Sequence, residues 1–135
     1  MGWRMLVSVS TMPAGNDAKK YALQIDDFAD FLHCDVCDGA YNQTECFSAD
    51  MASQINSATI LPLDVHLMTK NPLLQAKQYV KAGANIVTAQ YESFENQQQI
   101  VEFVDFVKST KTLVGLAIEP STDVDVLLPF LSRLD

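Results

Sequence analysis

The stretch FLHCDVCDGAY, residues 31–41, sets His33 and Asp35 two positions apart in a run that otherwise suits a buried strand. Alternate residues of a strand share a face, so imidazole and carboxylate project together, with roughly 6.6 Å between their Cα atoms. LDVHLM, residues 63–68, repeats the arrangement with Asp64, His66 and Met68. His33 and His66 are the only 2 histidines of the chain. In α/β folds the strand ends that carry the outgoing loops form the reactive rim, and His33, Asp35, His66 and Met68 are expected near those ends. Two imidazoles and a carboxylate converging there suit a divalent metal such as Zn, Fe, Mn or Co. A single histidine is more simply a hydrogen-bonded core residue. Two of them, matched in consecutive strands, favour a site.

Composition bounds the rest. A chain of 135 residues with 48% hydrophobic content has the size and core of one domain, residues 1–135. A net charge of -8 without a basic cluster argues against nucleic acid or an anionic membrane as partner. The apolar run in MGWRMLVSVSTMPAG is too short for a signal-peptide core or a membrane span. Three cysteines, Cys34, Cys37 and Cys46, are an odd set and read as reduced thiols in the cytoplasm. Cys34 and Cys37 form C-x-x-C, but strand alternation points them to opposite faces and no second pair exists, so thiol-redox chemistry ranks last. The NQT sequon at Asn42 is expected to be a chance match.

Five apolar runs of strand length recur: MLVSVS (5–10), FLHCDV (31–36), LPLDVHL (61–67), NIVTA (85–89) and LVGLAI (113–118). Helical patterns lie between them. In NPLLQAKQYVKAG, Asn71 caps, Pro72 takes the first position, Leu74, Tyr79 and Val80 share a face, and Gly83 ends the helix. SFENQQQIVEFVDFVKST carries Ile100, Phe103, Val104 and Val107 as a stripe, with Ser93 as the expected cap. STDVDVLLPFLSRL starts a further helix that Pro129 kinks or shortens. Strand and helix thus alternate about five times, which calls for a parallel sheet with right-handed crossovers. Near-continuous apolar strands imply two covered faces, as in a doubly wound sheet or a barrel.

HCDVCDG resembles the H-x-D-V-M-D-G strand of ribulose-phosphate 3-epimerases, and LPLDVHLMTKNP is similar to that family's third strand and loop. SVSTM, KAGANIVTAQYES and VGLAIEPST resemble its first, fourth and fifth strands, so the likeness runs from about Val7 to Thr122. It implies a (β/α)8 barrel, here incomplete with about five units, that interconverts D-ribulose 5-phosphate and D-xylulose 5-phosphate. It further implies that His33, Asp35 and His66 bind a divalent cation, with a fourth ligand from a seventh-strand aspartate. Asp35 and that aspartate would be the paired acid and base at C3. Ser10, or else Ser8, would touch the substrate, and Met68 would form an apolar cap. His33 and His66 would lie against the substrate as well.

Several positions depart from the family pattern. Cys37 stands for the usual methionine, Gln90 where histidine is common, and Glu119 where asparagine is common. Glu119 would alter polarity near the site or simply face solvent. Asp38 and Gly39 match and read as turn formers. A full barrel needs ~250 residues, so the second aspartate and the phosphate loops are expected on strands beyond this chain. Inactivity alone and self-association through the open edges of MLVSVS and LVGLAI are expected in consequence. A hexulose phosphate such as allulose 6-phosphate as substrate, or a catalytically dead metal-binding remnant, stays open at this point.

Overall fold

A computed structural model describes residues 4–41 and 45–135. The sequon at Asn42 lies outside the described residues. Five strands, β1 (Ser8–Ser10), β2 (Phe31–Asp38), β4 (Leu63–Met68), β5 (Ala84–Gln90) and β6 (Leu113–Ala117), run parallel in the order β1-β2-β4-β5-β6. The short β3 (Glu45–Cys46) pairs antiparallel with β2. Helices α1 (Ala18–Ile25), α2 (Ala49–Asn56), α3 (Pro72–Lys81) and α4 (Gln97–Ser109) form the crossovers.

Period 2 in the strands separates two faces. Leu32, Cys34, Val36, Val65, Leu67 and Val87 pack under the helices and make the core. The helices answer with their own stripes. Ile100, Phe103, Val104 and Val107 of α4 are buried as their spacing predicts. In α3 the buried stripe is Pro72, Ala76 and Tyr79, and Leu74 is exposed. The correction follows from 100° per residue, which sets Leu74 about 200° round from Pro72. Near-continuous apolar strands imply that the other face is covered as well. That face carries His33 with Asp35 and Asp64 with His66, as their spacing implies, together with Ser10, and it is only half-buried.

The element boundaries have local causes. The Asn71 side chain caps α3 by accepting from the Leu74 N–H at 3.2 Å, with Pro72 as first helical residue. Gly83 follows α3 at φ +104°, a conformation that favours glycine, and a Cβ there would also have to push the Asn56 side chain aside. The cap of α4 is Asn96, whose side chain accepts from Gln99 N–H at 3.0 Å. Ser93, the expected cap, lies in a single 3-10 turn, Tyr91–Ser93, just before it. The final segment forms two short 3-10 helices, Val124–Leu127 and Leu131–Arg133, in place of one helix. Pro129 lies between them and lacks the N–H that a continuous helix needs.

MLVSVS enters the sheet only at Ser8, and Met5, Leu6 and Val7 are exposed. The far edge of β6 is less open than the pattern of LVGLAI suggests. Asp135 folds back on it, donating its N–H to the Val114 carbonyl at 3.1 Å and accepting from Val114 N–H at 3.1 Å. Among the described residues no helix is long and apolar enough to cross a membrane.

Candidate metal and active site

Register brings the polar residues together. His33 in β2 lies opposite Ser10 of β1 and Asp64 of β4, and Asp35 lies opposite His66. His33 Nε2 is 3.2 Å from Asp35 Oδ1, and His66 Nδ1 is 3.6 Å from the same oxygen. One ligand atom from each of the three residues falls within 4.8 Å of the others. The two rings lie 6.0 Å apart, centroid to centroid. The cluster sits lower than a strand-end rim. His33 is the third residue of the eight-residue β2, and only Met68 stands at the last position of its strand.

Sequence alternation places Asp64 on the site face but does not give it a partner. The structure does: Asp64 Oδ2 is 2.8 Å from His33 Nδ1 and accepts from the Ser8 hydroxyl at 2.9 Å. Ser8 and Ser10 therefore divide their work, since Ser10 donates to Asp35 Oδ2 at 3.2 Å. The hydrogen bond that His33 donates to Asp64 raises the His33 pKa above its ordinary value against the opposing effect of burial, and the Asp64 and Asp35 charges add to the rise. Burial works to raise the Asp64 carboxyl, but the hydrogen bonds from His33 and Ser8 outweigh it and hold the group low. The two shifts agree on a charged Asp64 against His33.

The donor set fits a divalent cation. A carboxylate only accepts, so Asp64 keeps the proton of a neutral His33 on Nδ1 and leaves the Nε2 lone pair facing Asp35. His66 turns Nδ1 to the same oxygen. Nitrogen lone pairs and a carboxylate facing one point repel unless a positive charge joins them, and two imidazoles with one carboxylate suit zinc, iron, manganese or cobalt.

The remaining expected residues fall around this cluster. Met68 shares the face of His66 and stands opposite Cys37 in register. A cavity of about 190 Å³, lined in part by Asp35, Thr11, Met12 and Met51, opens beside the carboxylate. A cavity of about 590 Å³ between the first turns of α3 and α4 holds none of the cluster's residues. Gln90 Oε1 is 2.8 Å from His66 Nε2. Glu119 is exposed, as one of the two expectations has it, and accepts from the Tyr41 hydroxyl at 2.7 Å. Asp38 forms the turn after β2, accepting from Ala40, Tyr41 and Lys70 N–H groups at 2.9 Å each, with Gly39 at φ +71°. Cys34 is fully buried and desolvation pushes its thiol up to about 12, the reverse of the depressed value that redox chemistry needs.

A parallel sheet with alternating helices and a polar face carrying His33, Asp35 and His66 defines an α/β protein of the (β/α)8-barrel type, incomplete in its strands. The fold is similar to that of N-(5'-phosphoribosyl)anthranilate isomerase from Pyrococcus furiosus, with a TM-score of 0.64 at 13% identity over 98% of this chain and 64% of that one. The model of the ribulose-phosphate 3 epimerase family matches residues 6–135, and the chain belongs to that family. The ribulose-phosphate 3-epimerase of Chlamydia pneumoniae is 32% identical over 107 residues, covering 79% of this chain and 45% of the relative. That of Aquifex aeolicus is 30% identical over 99 residues, 73% of this chain and 43% of the relative. The chain thus spans a little under half the length of these curated relatives.

Proposed function

We propose that these residues supply the cation-holding and proton-abstracting part of a 3-epimerase that interconverts D-ribulose 5-phosphate and D-xylulose 5-phosphate. The convergence of His33 Nε2, His66 Nδ1 and Asp35 Oδ1 carries the proposal. His33, His66 and Asp35 hold the cation. When bound, it supplies Lewis-acid stabilisation of the negative charge that develops on the substrate oxygens as the C3 proton leaves. Asp35 takes that proton as general base, and its approach is fixed by the Ser10 hydroxyl at 3.2 Å. Ser10 also contacts the substrate, and Met68 provides an apolar surface over the planar intermediate. The open face of the sheet beside Asp35 admits the sugar phosphate.

Asp35 reaches C3 from one side, so inversion requires an acid on the other, which the family resemblance assigns to a later strand. The 135-residue chain is therefore expected to exchange the C3 hydrogen without producing xylulose 5-phosphate. The test incubates the chain, D-ribulose 5-phosphate and Mn²⁺ or Zn²⁺ in D₂O and follows deuterium at C3. Incorporation above background that disappears in Asp35→Asn supports the proposal. Incorporation that persists in Asp35→Asn, or none in a cation-loaded wild type, refutes it.

A further inference from the structure

His66 can offer Nδ1 to a cation only if its proton sits on Nε2, and the partner of Nε2 decides where the proton sits. That partner is Gln90, whose Oε1 lies 2.8 Å away. A primary amide presents an accepting oxygen or a donating nitrogen, and a half-turn exchanges them. Acceptors on the far side of Gln90 fix the choice. Its Nε2 donates to Glu92 Oε2 at 3.4 Å, and the Tyr41 hydroxyl lies close by. Tyr41 donates its own proton to Glu119 Oε1 at 2.7 Å, so only lone pairs of its oxygen remain for Gln90. Glu92 is held as an acceptor by the Glu119 N–H at 2.9 Å and by the Thr122 hydroxyl. A turned amide would set its oxygen against the Glu92 carboxylate and the Tyr41 lone pairs, at a side chain only 7% exposed.

We propose that Glu92 and Glu119 are positioning residues that act through Gln90 to hold His66 as the Nε2–H tautomer and so reserve Nδ1 for the cation. The role assigned to Nδ1 rests on the cation site proposed above; the tautomer does not. Asp64 does the same for His33 directly, with a carboxylate on the ring. On His66 the Glu92 carboxylate stands one amide away, and the Glu119 carboxylate stands a step further out, beyond Tyr41. Gln90 and Glu119, two positions that depart from the family pattern, are parts of this one network.

The variant E92Q/E119Q tests it. E92Q keeps an accepting oxygen for the Thr122 hydroxyl and the Glu119 N–H, and E119Q keeps one for the Tyr41 hydroxyl, yet each brings an NH₂ that lets Gln90 turn. Nitrogen-15 NMR of the full chain without cation, at about pH 8.5, reads the tautomer. His66 is expected as Nε2–H in the wild type and shifted towards Nδ1–H in the variant. Calorimetry with Zn²⁺ is expected to show roughly 10- to 100-fold weaker binding. Adding Gln90→Glu to that variant restores an acceptor that cannot turn, and both the tautomer and Zn²⁺ affinity should return towards the wild type. Should E92Q/E119Q unfold, E119Q alone carries the same two measurements. An unchanged His66 tautomer in the variant overturns the proposal, as does a triple variant in which the tautomer fails to return. A wild type that binds no Zn²⁺ removes the cation site alone, and the tautomer shift still decides the role of Glu92 and Glu119.

Discussion

Leu67 and His66 are neighbours in β4 and point into different media. Leu67 is fully buried with Leu32, Val65 and Val87 beneath the helices. His66 lies on a half-buried face among Asp35, Gln90 and His33. The first face is apolar and needs no partner beyond shape. The second is polar, and its side chains are joined by hydrogen bonds that cross from β1 through β2 to β4 and from β4 to β5. Stability and chemistry are thus carried by alternate residues of the same strands, and a change of one residue can address either alone.

The largest effect on folding should come from the helix side. Leu67→Ala removes a fully buried side chain and is expected to lower unfolding free energy by ~2–5 kcal/mol in urea denaturation. Zn²⁺ affinity of the folded fraction should stay unchanged. A parallel loss of affinity would break the separation of the two faces.

Asp64→Asn addresses the site side. Loss of the carboxylate that orients His33 should weaken Zn²⁺ binding roughly 10- to 100-fold in calorimetry, with a much smaller effect on folding than Leu67→Ala. A pH series sharpens this. Because the Asp64 hydrogen bond raises the His33 pKa, protons compete with the cation from above the ordinary histidine value downward. Wild-type affinity should therefore fall as pH is lowered through that raised value, and in Asp64→Asn the fall should move to lower pH. The stability from this pair runs the other way at the histidine end. It is complete between the ordinary carboxyl and histidine values, and is lost as pH rises through the folded His33 value or falls through the folded Asp64 value.

A smaller effect belongs to the turn above the site. Burial works to raise Asp38, but backbone N–H groups of Tyr41, Lys70 and Ala40 outweigh it and keep its carboxyl low. Asp38→Asn should cost about 1 kcal/mol at neutral pH. With a depressed folded pKa, that contribution is present above the ordinary carboxyl value and lost as pH falls through the folded one. Thermal melts of both proteins should therefore converge in acid. The smallest effect is an absence of reaction. With its thiol pushed up to about 12, Cys34 should resist a thiol reagent at neutral pH until denaturant exposes it, read by peptide mass spectrometry.

Alternation in FLHCDV and LDVHLM was enough to group His33 with Asp35, and His66 with Asp64 and Met68, because period 2 is a property of any extended chain. The alternation of strand and helix and the α4 stripe were legible for the same reason, since period and length are local. Single-turn features were less so: Asn96 rather than Ser93 caps α4, and the segment around Pro129 breaks into 3-10 turns. These depend on which nearby group wins a hydrogen bond.

Pairing between strands was beyond the sequence. Nothing within LDVHLM says that Asp64 faces His33 while His66 faces Asp35; the parallel register of β2 and β4 decides it. A slip of one residue in β4 would send His66 into the helix layer and part it from His33 and Asp35. The hydrogen bond from Tyr41 to Glu119 spans 78 positions, and that from Gln90 to Glu92 joins the same group through the Glu119 N–H, because the segments after β2, β5 and β6 meet. Residue types and spacing therefore determined which chemical groups share a strand face, because they are written along the backbone. Which nitrogen of each imidazole faces the cluster is a matter of distances across strands, and the tertiary structure alone fixed it.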